Sequence, residues 1–344
     1  MQIDFHHTVT YVLARLAGFN HEDAHIISYS AQYVDDATNG GTIRFENDAT
    51  YTRIASAHHI YKLTKFNDVE NHHVWVPFHF LPGNGEKPDG TNIKGNFIHK
   101  LVCKPNSTIA KDMLSYCLAD RNKPYALHRL GISMHVFADT WAHREFAGIC
   151  DEINKIDLYN AELADKLKSS SVGSFFPMGH GPALTFPDMP FLEWSYQNGR
   201  NVIVERDNTT EFIDAAEKMY AFMLEYNKQP RKQLPEEIKK IFRELFLSLT
   251  DEDGHERHKG WIEAIRSGRF KQIGEQELTY IPKGAGSWKH VALETEKETD
   301  DYDERFEFKS SFMTSNWKMF HDALQAHRFD VIHDILPRYG ICAG

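Results

Sequence analysis

Three observations predict a mainly α fold, a multi-helix globular bundle with a few short extended segments and a His/Asp metal cluster. Apolar residues recur at helical spacing through most of the chain, capping residues precede those runs, and histidines and aspartates fall on helix faces that should be buried. Hydrophobic residues make up 41% of the 344, enough for a sizeable core. We expect a metal-binding helical core over residues 1–200 and a helical extension, 201–344, packed on it or merged with it in one domain.

In chain order, residues 5–18 set Phe5, Val9, Val12, Leu13 and Leu16 at helical spacing and stop at Gly18, with Asp4 available as an N-cap. Asn20, followed by Glu22 and Asp23, caps a second helix running to about Asp36. Residues 38–50 read as irregular, and a short helix is expected over about 50–63. The stretch HHVWVPFHFLPGNGEKPDG is rich in β-branched and aromatic residues and reads as extended chain, then a loop. Helices are predicted at 106–122, capped by Asn106 or Ser107, and at 124–146, where Pro124 occupies a permitted first-turn position. A further helix is expected over 151–169, followed by an aromatic loop rich in Gly and Pro over 174–194. Helices follow at about 208–228, 235–249, 256–267 and 311–337, and the acidic run 294–307 reads as a solvated surface loop.

Thirty-nine Lys and Arg against 49 Asp and Glu leave a net charge of −10. No stable nucleic-acid partner is expected, because phosphate backbones require a basic surface. A small phosphate ester in a metal site remains compatible, since there the cation supplies the positive charge. No apolar run approaches the ~20 residues of a membrane span. The start MQIDFHHTVTYVLARLAGF lacks a basic n-region and cleavage site, so a cytoplasmic protein is expected. Cys103, Cys117, Cys150 and Cys342 show no CxxC spacing and read as buried free thiols.

The informative residue is histidine, present 20 times. In the helix ALHRLGISMHVFADTWAHREF, His128, His135, Asp139 and His143 fall within roughly a 100° arc at about 100° per residue. Leu130, Ile132, Met134 and Phe137 surround that stripe, so the helix should be buried. A buried Asp without a partner is costly, so Asp139 should face a cation, an Arg or several donors. His135 and His143, four residues to either side, are spaced to share a metal with it. His128 is a supporting residue on the same stripe. On the second helix His25, Tyr29, Gln32 and Asp36 share an arc, with Asp35 roughly 100° away. Asp36 fits the stripe better, and either Asp36 or Asp35 could bridge cations or serve as general base. His6 ahead of the first helix, His79 between Phe78 and Phe80, and His180 between two glycines are further candidate ligands. Asp188 reads as the partner that orients His180. Trp141, Phe176 and Trp194 are expected to wall a substrate pocket.

The order of these residues, an N-terminal His, acids near residue 36, a later His, a His-xxx-Asp-xxx-His helix and a further His, resembles the zinc-dependent phospholipase C and single-strand nuclease superfamily. Those are all-helical enzymes that cleave phosphate esters at a three-zinc cluster of His and Asp ligands. The resemblance implies His6, Asp36 (or Asp35), His79, His135, Asp139, His143 and His180 as ligands of two or three zinc ions. Manganese or iron would also suit His and carboxylate donors. The segments DFHHTVTYVLARLAGF, QYVDDATN, PFHFLPG and MHVFADTWAH also look like a bacterial family of intracellular proteins known mainly from genome sequences, over roughly residues 1–200. In the enzymes the spacing from the motif Asp to the next His is longer and includes a Pro, and their own mature N-terminus serves as a ligand. A metal-dependent phosphoric ester hydrolase is therefore the expected function. The alternatives are a non-catalytic metal-stabilised binding protein and a His-Asp phosphohydrolase using His321-Asp322 or His333-Asp334.

Overall fold

The computed structural model describes residues 1–57, 68–88, 97–160, 162–165, 178–299 and 303–342, and of these 68–71 as backbone only. It is mainly helical, with two small sheets. The helices are α1 (Thr10–Leu16), α2 (His21–Asp36), α3 (Asp68–Phe78), α4 (Ile98–Leu101), α5 (Thr108–Ala119), α6 (Ala126–Ala142), α7 (Asn208–Tyr226), α8 (Glu236–Ser248), α9 (Gly254–Arg266), α10 (Trp288–Leu293) and α11 (Asn316–Phe329). Their N-termini follow from side-chain caps. Asn20 Oδ1 accepts from the Asp23 amide at 2.8 Å, Ser107 Oγ from Ala110 at 3.1 Å, and Asp207 Oδ1 from Thr210 at 3.0 Å.

Helix α6 is buried along nearly its whole length and is flanked by α2, α5, α7 and α11. Its closest neighbour is α2, and Gly131 permits the approach. A Cβ there would come within 2.3 Å of the Ile27 carbonyl oxygen and 2.6 Å of Ser30 Cβ. The main hydrophobic cluster runs from Phe5 and Leu13 through Met134 and Phe137 to Phe212 and Trp261, so the C-terminal region packs directly on the helical core. No helix among the described residues is long and apolar enough to cross a membrane. The four cysteines form no disulfide, and Cys150 and Cys342 are exposed rather than buried.

Several elements differ from the sequence expectation, each for a physical reason. The chain begins with a π-helical turn, Asp4–Val9, ahead of α1. Asp4 does not cap it, because both its carboxylate oxygens are taken by the buried Arg257. Residues 38–57, expected as loop and the start of a helix, instead hold the antiparallel hairpin β1 (Gly41–Phe45) and β2 (Thr50–Arg53), which pairs Ile43 with Tyr51. The rest of that expected helix, 58–63, lies outside the described residues. The alternation that buries Ile43 and Phe45 is a two-residue period. Strand β6 (Arg305–Phe306), inside the acidic run, adds in parallel to β1 and buries Phe306.

The segment read as extended, HHVWVPF, is the C-terminal part of α3. Val74, Val76 and Phe78 are all buried, so tertiary packing overrides their β-propensity. Pro77 is accommodated one residue from the helix end, and its carbonyl accepts from His327 Nε2 at 2.9 Å. Of the helix expected over 151–169, residues 162–165 are helical, and 161 and 166–169 lie outside the described residues. Ahead of them the chain forms a short 3-10 turn and β3 (Ile156–Leu158), which joins β4 (Glu193–Asn198) and β5 (Ile203–Asp207) in the second sheet. The last long helix ends at Phe329 and continues as a π-helical turn, Asp330–Ile335.

Candidate metal centre

Several elements converge at the C-terminal end of α6. The helix supplies His135 and Asp139 on adjacent turns, and His143 follows as its C-cap residue, its amide bonded to the Asp139 carbonyl at 2.8 Å. Asp139 is 1% exposed. Its Oδ2 lies 3.3 Å from His135 Nε2, 3.4 Å from His79 Nδ1 and 3.7 Å from His143 Nδ1. Its Oδ1 faces the other way, 3.2 Å from His6 Nε2 and 2.6 Å from the Met1 amino group. Asp35, at the end of α2, stands 3.8 Å from both His79 and His135 with its side chain 32% exposed, so it forms the rim. Close packing at Gly131 brings α2 near enough for this.

A second focus lies beside the first. Asp188 Oδ1 is 4.0 Å from His143 Nε2 and 3.1 Å from the Met1 amino group, and its Oδ2 is 3.6 Å from His180 Nε2. Gly179, at φ +54°, makes room for this approach, since a Cβ there would meet the Phe80 ring at 2.3 Å. Phe80 stacks on His143, and His143 on His180, with ring centroids 4.3 and 4.8 Å apart. Three sets of donor atoms therefore cluster, each within 4.8 Å: His6, Asp35 and His135; His79, His135 and Asp139; His143, His180 and Asp188.

Backbone carbonyls orient the imidazoles. His79 Nε2 donates to the Ser56 carbonyl at 2.8 Å, His143 Nδ1 to the His79 carbonyl at 2.6 Å, and His180 Nδ1 to the Leu184 carbonyl at 2.6 Å. A carbonyl can only accept, so these rings must carry their proton on that nitrogen. The opposite nitrogen then faces the cluster.

The electrostatics keep the imidazoles of His6, His135 and His143 neutral and the carboxylates of Asp139 and Asp188 charged. Burial drives His6 and His135 down to about 4 and His143 to about 3, against the pull of Asp139. His79 is raised instead: burial opposes protonation, but its bond to Asp139 and the Asp35 carboxylate outweigh it. Burial pushes the Asp188 carboxyl up, yet the Met1 amino group, His180 and His143 outweigh it and lower it to about 2. Asp139 is held well below the ordinary carboxylate range on the same balance, with the Met1 amino group opposing burial. For that amino group burial is the largest influence and lowers it, while Asp139 and Asp188 together raise it to about 11.

Of the residues singled out from sequence, His6, His79, His135, Asp139, His143 and His180 come together. Asp188 joins them directly rather than standing behind His180. The preference for Asp36 over Asp35 is corrected. Asp36 turns away to accept from Tyr280 at 2.5 Å and Gln32 at 3.2 Å, while Gln32 also reaches Asp35 at 3.4 Å. His128 shares the stripe but sits two helical turns before His135 and bonds Asn316 at 3.1 Å beside Trp288. Trp141 is 2% exposed and donates to Asp214 at 2.9 Å, and Trp194 is buried against Tyr196 and Asn208. Neither tryptophan walls the cluster. Phe176 lies outside the described residues. The two His-Asp dipeptides stand apart, with Asp322 taken by Lys318 and Tyr51.

Sequence reasoning missed the Met1 amino group and Arg257. Neither carries a pattern of its own, since each acts through a contact that spans the chain. Gln32, placed on the α2 arc from sequence, reaches Asp35 only three residues on.

Residues 1–335 match the model of a family described as a family of unknown function (DUF6765). No curated protein and no solved structure matches the chain.

Proposed function

The chain belongs to that family of unknown function, and from the donor set at the end of α6 we propose that it is a metal-dependent hydrolase of phosphate esters that uses two or three divalent ions. One observation carries the reading. At the second focus His143 and His180 have both committed Nδ1 to carbonyls, so in the neutral rings each Nε2 presents a lone pair. Both lone pairs face the Asp188 carboxylate, at 4.0 and 3.6 Å. The Met1 amino group, 3.1 Å from Asp188 Oδ1, offsets part of the carboxylate charge but leaves both imidazole lone pairs facing it. A divalent cation among these three acceptors would satisfy them. His6 repeats the pattern: its Nε2 is buried without a hydrogen-bond partner 3.2 Å from Asp139 Oδ1.

The donor chemistry suits zinc, which takes His nitrogen and carboxylate oxygen in sites that keep an open position; manganese and iron suit it as well. His143, His180 and Asp188 would hold one ion. His79, His135 and Asp139 would hold a second, and His6, His135 and Asp35 are the donors for a third. Such ions would supply Lewis acidity, neutralising phosphoryl oxygens and acidifying water. The chain's own part is orientation and proton handling. Asp139 spans the centre, one oxygen toward His6 and the other toward His135 and His79. Asp35 stands at the solvent-facing rim with Oδ1 toward His79 and His135; its Oδ2, beside Gln32, would accept the proton of the attacking water. The buried surroundings exclude bulk water and strengthen each of these interactions.

The test is elemental analysis of wild type and Asp139→Ala, followed by assay on phosphate mono- and diesters. Two or three equivalents of zinc or manganese are expected in wild type, and the variant should lose the ion of the Asp139 set together with hydrolysis. A folded wild type that takes up no added metal removes the proposal. One inert equivalent without hydrolysis would favour a structural site instead.

A further inference from the structure

Helix α9 contributes a fully buried arginine to the back of the centre. Arg257 Nε lies 2.6 Å from Asp4 Oδ2 and its Nη2 3.2 Å from Asp4 Oδ1, a two-point pair with both side chains 0% exposed. Nη2 also reaches Gln2 Oε1 at 2.7 Å and the Asp188 carbonyl at 3.4 Å, while Nη1 donates to the carbonyls of Asp251 and Glu252 at 2.7 and 3.3 Å. The approach is built in. A Cβ at Gly254, the first residue of α9, would come within 2.5 Å of Gln2 Oε1.

We propose that Arg257 is a positioning residue of the metal centre, fixing the arm of residues 1–6 against the Asp188 loop and so governing how tightly the centre holds its ions. The inference rests on the metal-centre reading above. Gln2 and Asp4 frame the start of the π-helical turn that delivers His6, and the Asp188 carbonyl belongs to the residue whose carboxylate serves His143 and His180. One guanidinium therefore touches the supports of both ends of the cluster. Its planar fork is what allows this, since five donors in fixed directions can span an acid, an amide and three carbonyls. A lysine would keep the charge opposite Asp4 but, as a single point, could not hold Gln2 and Asp188 as well.

The experiment compares wild type, Arg257→Lys and Gln2→Ala, each loaded with zinc. It measures metal content, the rate of zinc release to a chelator, and the melting temperature after the metal is stripped. The expected result is zinc release at least about tenfold faster in Arg257→Lys, in the range seen when residues supporting metal ligands are changed. A smaller acceleration is expected in Gln2→Ala, with both proteins folded by circular dichroism. A purely stabilising contact would lower the metal-free melting temperature and leave release unchanged. Wild-type content and release rates in both variants overturn the role of Arg257 while leaving the metal-centre reading intact. Should Arg257→Lys not fold, Gln2→Ala, which removes one neutral acceptor, decides alone. A wild type without metal refutes both readings at once.

Discussion

His143 Nδ1 donates to the backbone carbonyl of His79 at 2.6 Å, so the main chain of one candidate ligand sets the ring of another. The two foci of the cluster are thereby tied together through a peptide group rather than through side chains.

That distinction yields a separable outcome. Replacing His79 with Ala removes a donor from the His79–His135–Asp139 set but leaves the carbonyl that orients His143. His79→Ala should lose the ion of the first focus and keep about one equivalent at His143, His180 and Asp188, measured by elemental analysis. Complete loss would mean that the two foci load only together.

Gly131→Ala tests whether the packing of α2 on α6 sets the rim. The added Cβ must move the Ile27 backbone or Ser30, at 2.3 and 2.6 Å. Overpacking of this kind costs about 1–3 kcal/mol, read as a lower midpoint in urea. Metal affinity should fall as well, because Asp35 is carried by the same helix.

Trp141→Phe should not disturb the centre. It removes the 2.9 Å bond to Asp214, and a stability loss of about 1 kcal/mol is expected. Metal content and hydrolysis should equal those of wild type; a large fall in activity would return Trp141 to the substrate pocket.

The metal-free protein should lose stability on both sides of neutrality. Burial depresses His128 and His258 to about 4 and His321 to about 3. Below the unfolded value near 6.5 the unfolded chain therefore binds more protons, and stability falls as pH drops from about 6.5 to about 4. The Met1 amino group, raised to about 11 from an ordinary 8.0, acts in the opposite sense. Its contribution is fully present below pH 8 and is lost as pH rises toward 11. Urea midpoints from pH 4 to 10 in chelator check both limbs; a flat profile would contradict the burial of these groups as uncharged histidines and a charged amine.

Much of the helical framework was legible in sequence because it depends on near neighbours. Asn20 caps α2 through the Asp23 amide three residues on, and His135, Asp139 and His143 share a face because a helix repeats every 3.6 residues. The hairpin at Gly41–Arg53 and helix α3 were not. Both are short and their apolar residues are buried by distant partners, so local period did not determine their type.

By itself the sequence determined which residue types would be buried on α6 and that Asp139 needed positive or donor partners, since a lone buried carboxylate is not tolerated in a core. Tertiary structure alone decided which partners those are. Asp35 rather than Asp36 faces the centre because Tyr280, far along the chain, bonds Asp36 and α2 packs on α6 at Gly131. His128 left the cluster because the partners assembled around it are Asn316 and Trp288. The Met1 amino group and Arg257 entered through contacts spanning 138 and 253 residues. Helical periodicity is carried by neighbouring residues, whereas the identity of the atoms opposite a side chain is set by how the whole chain closes around its core.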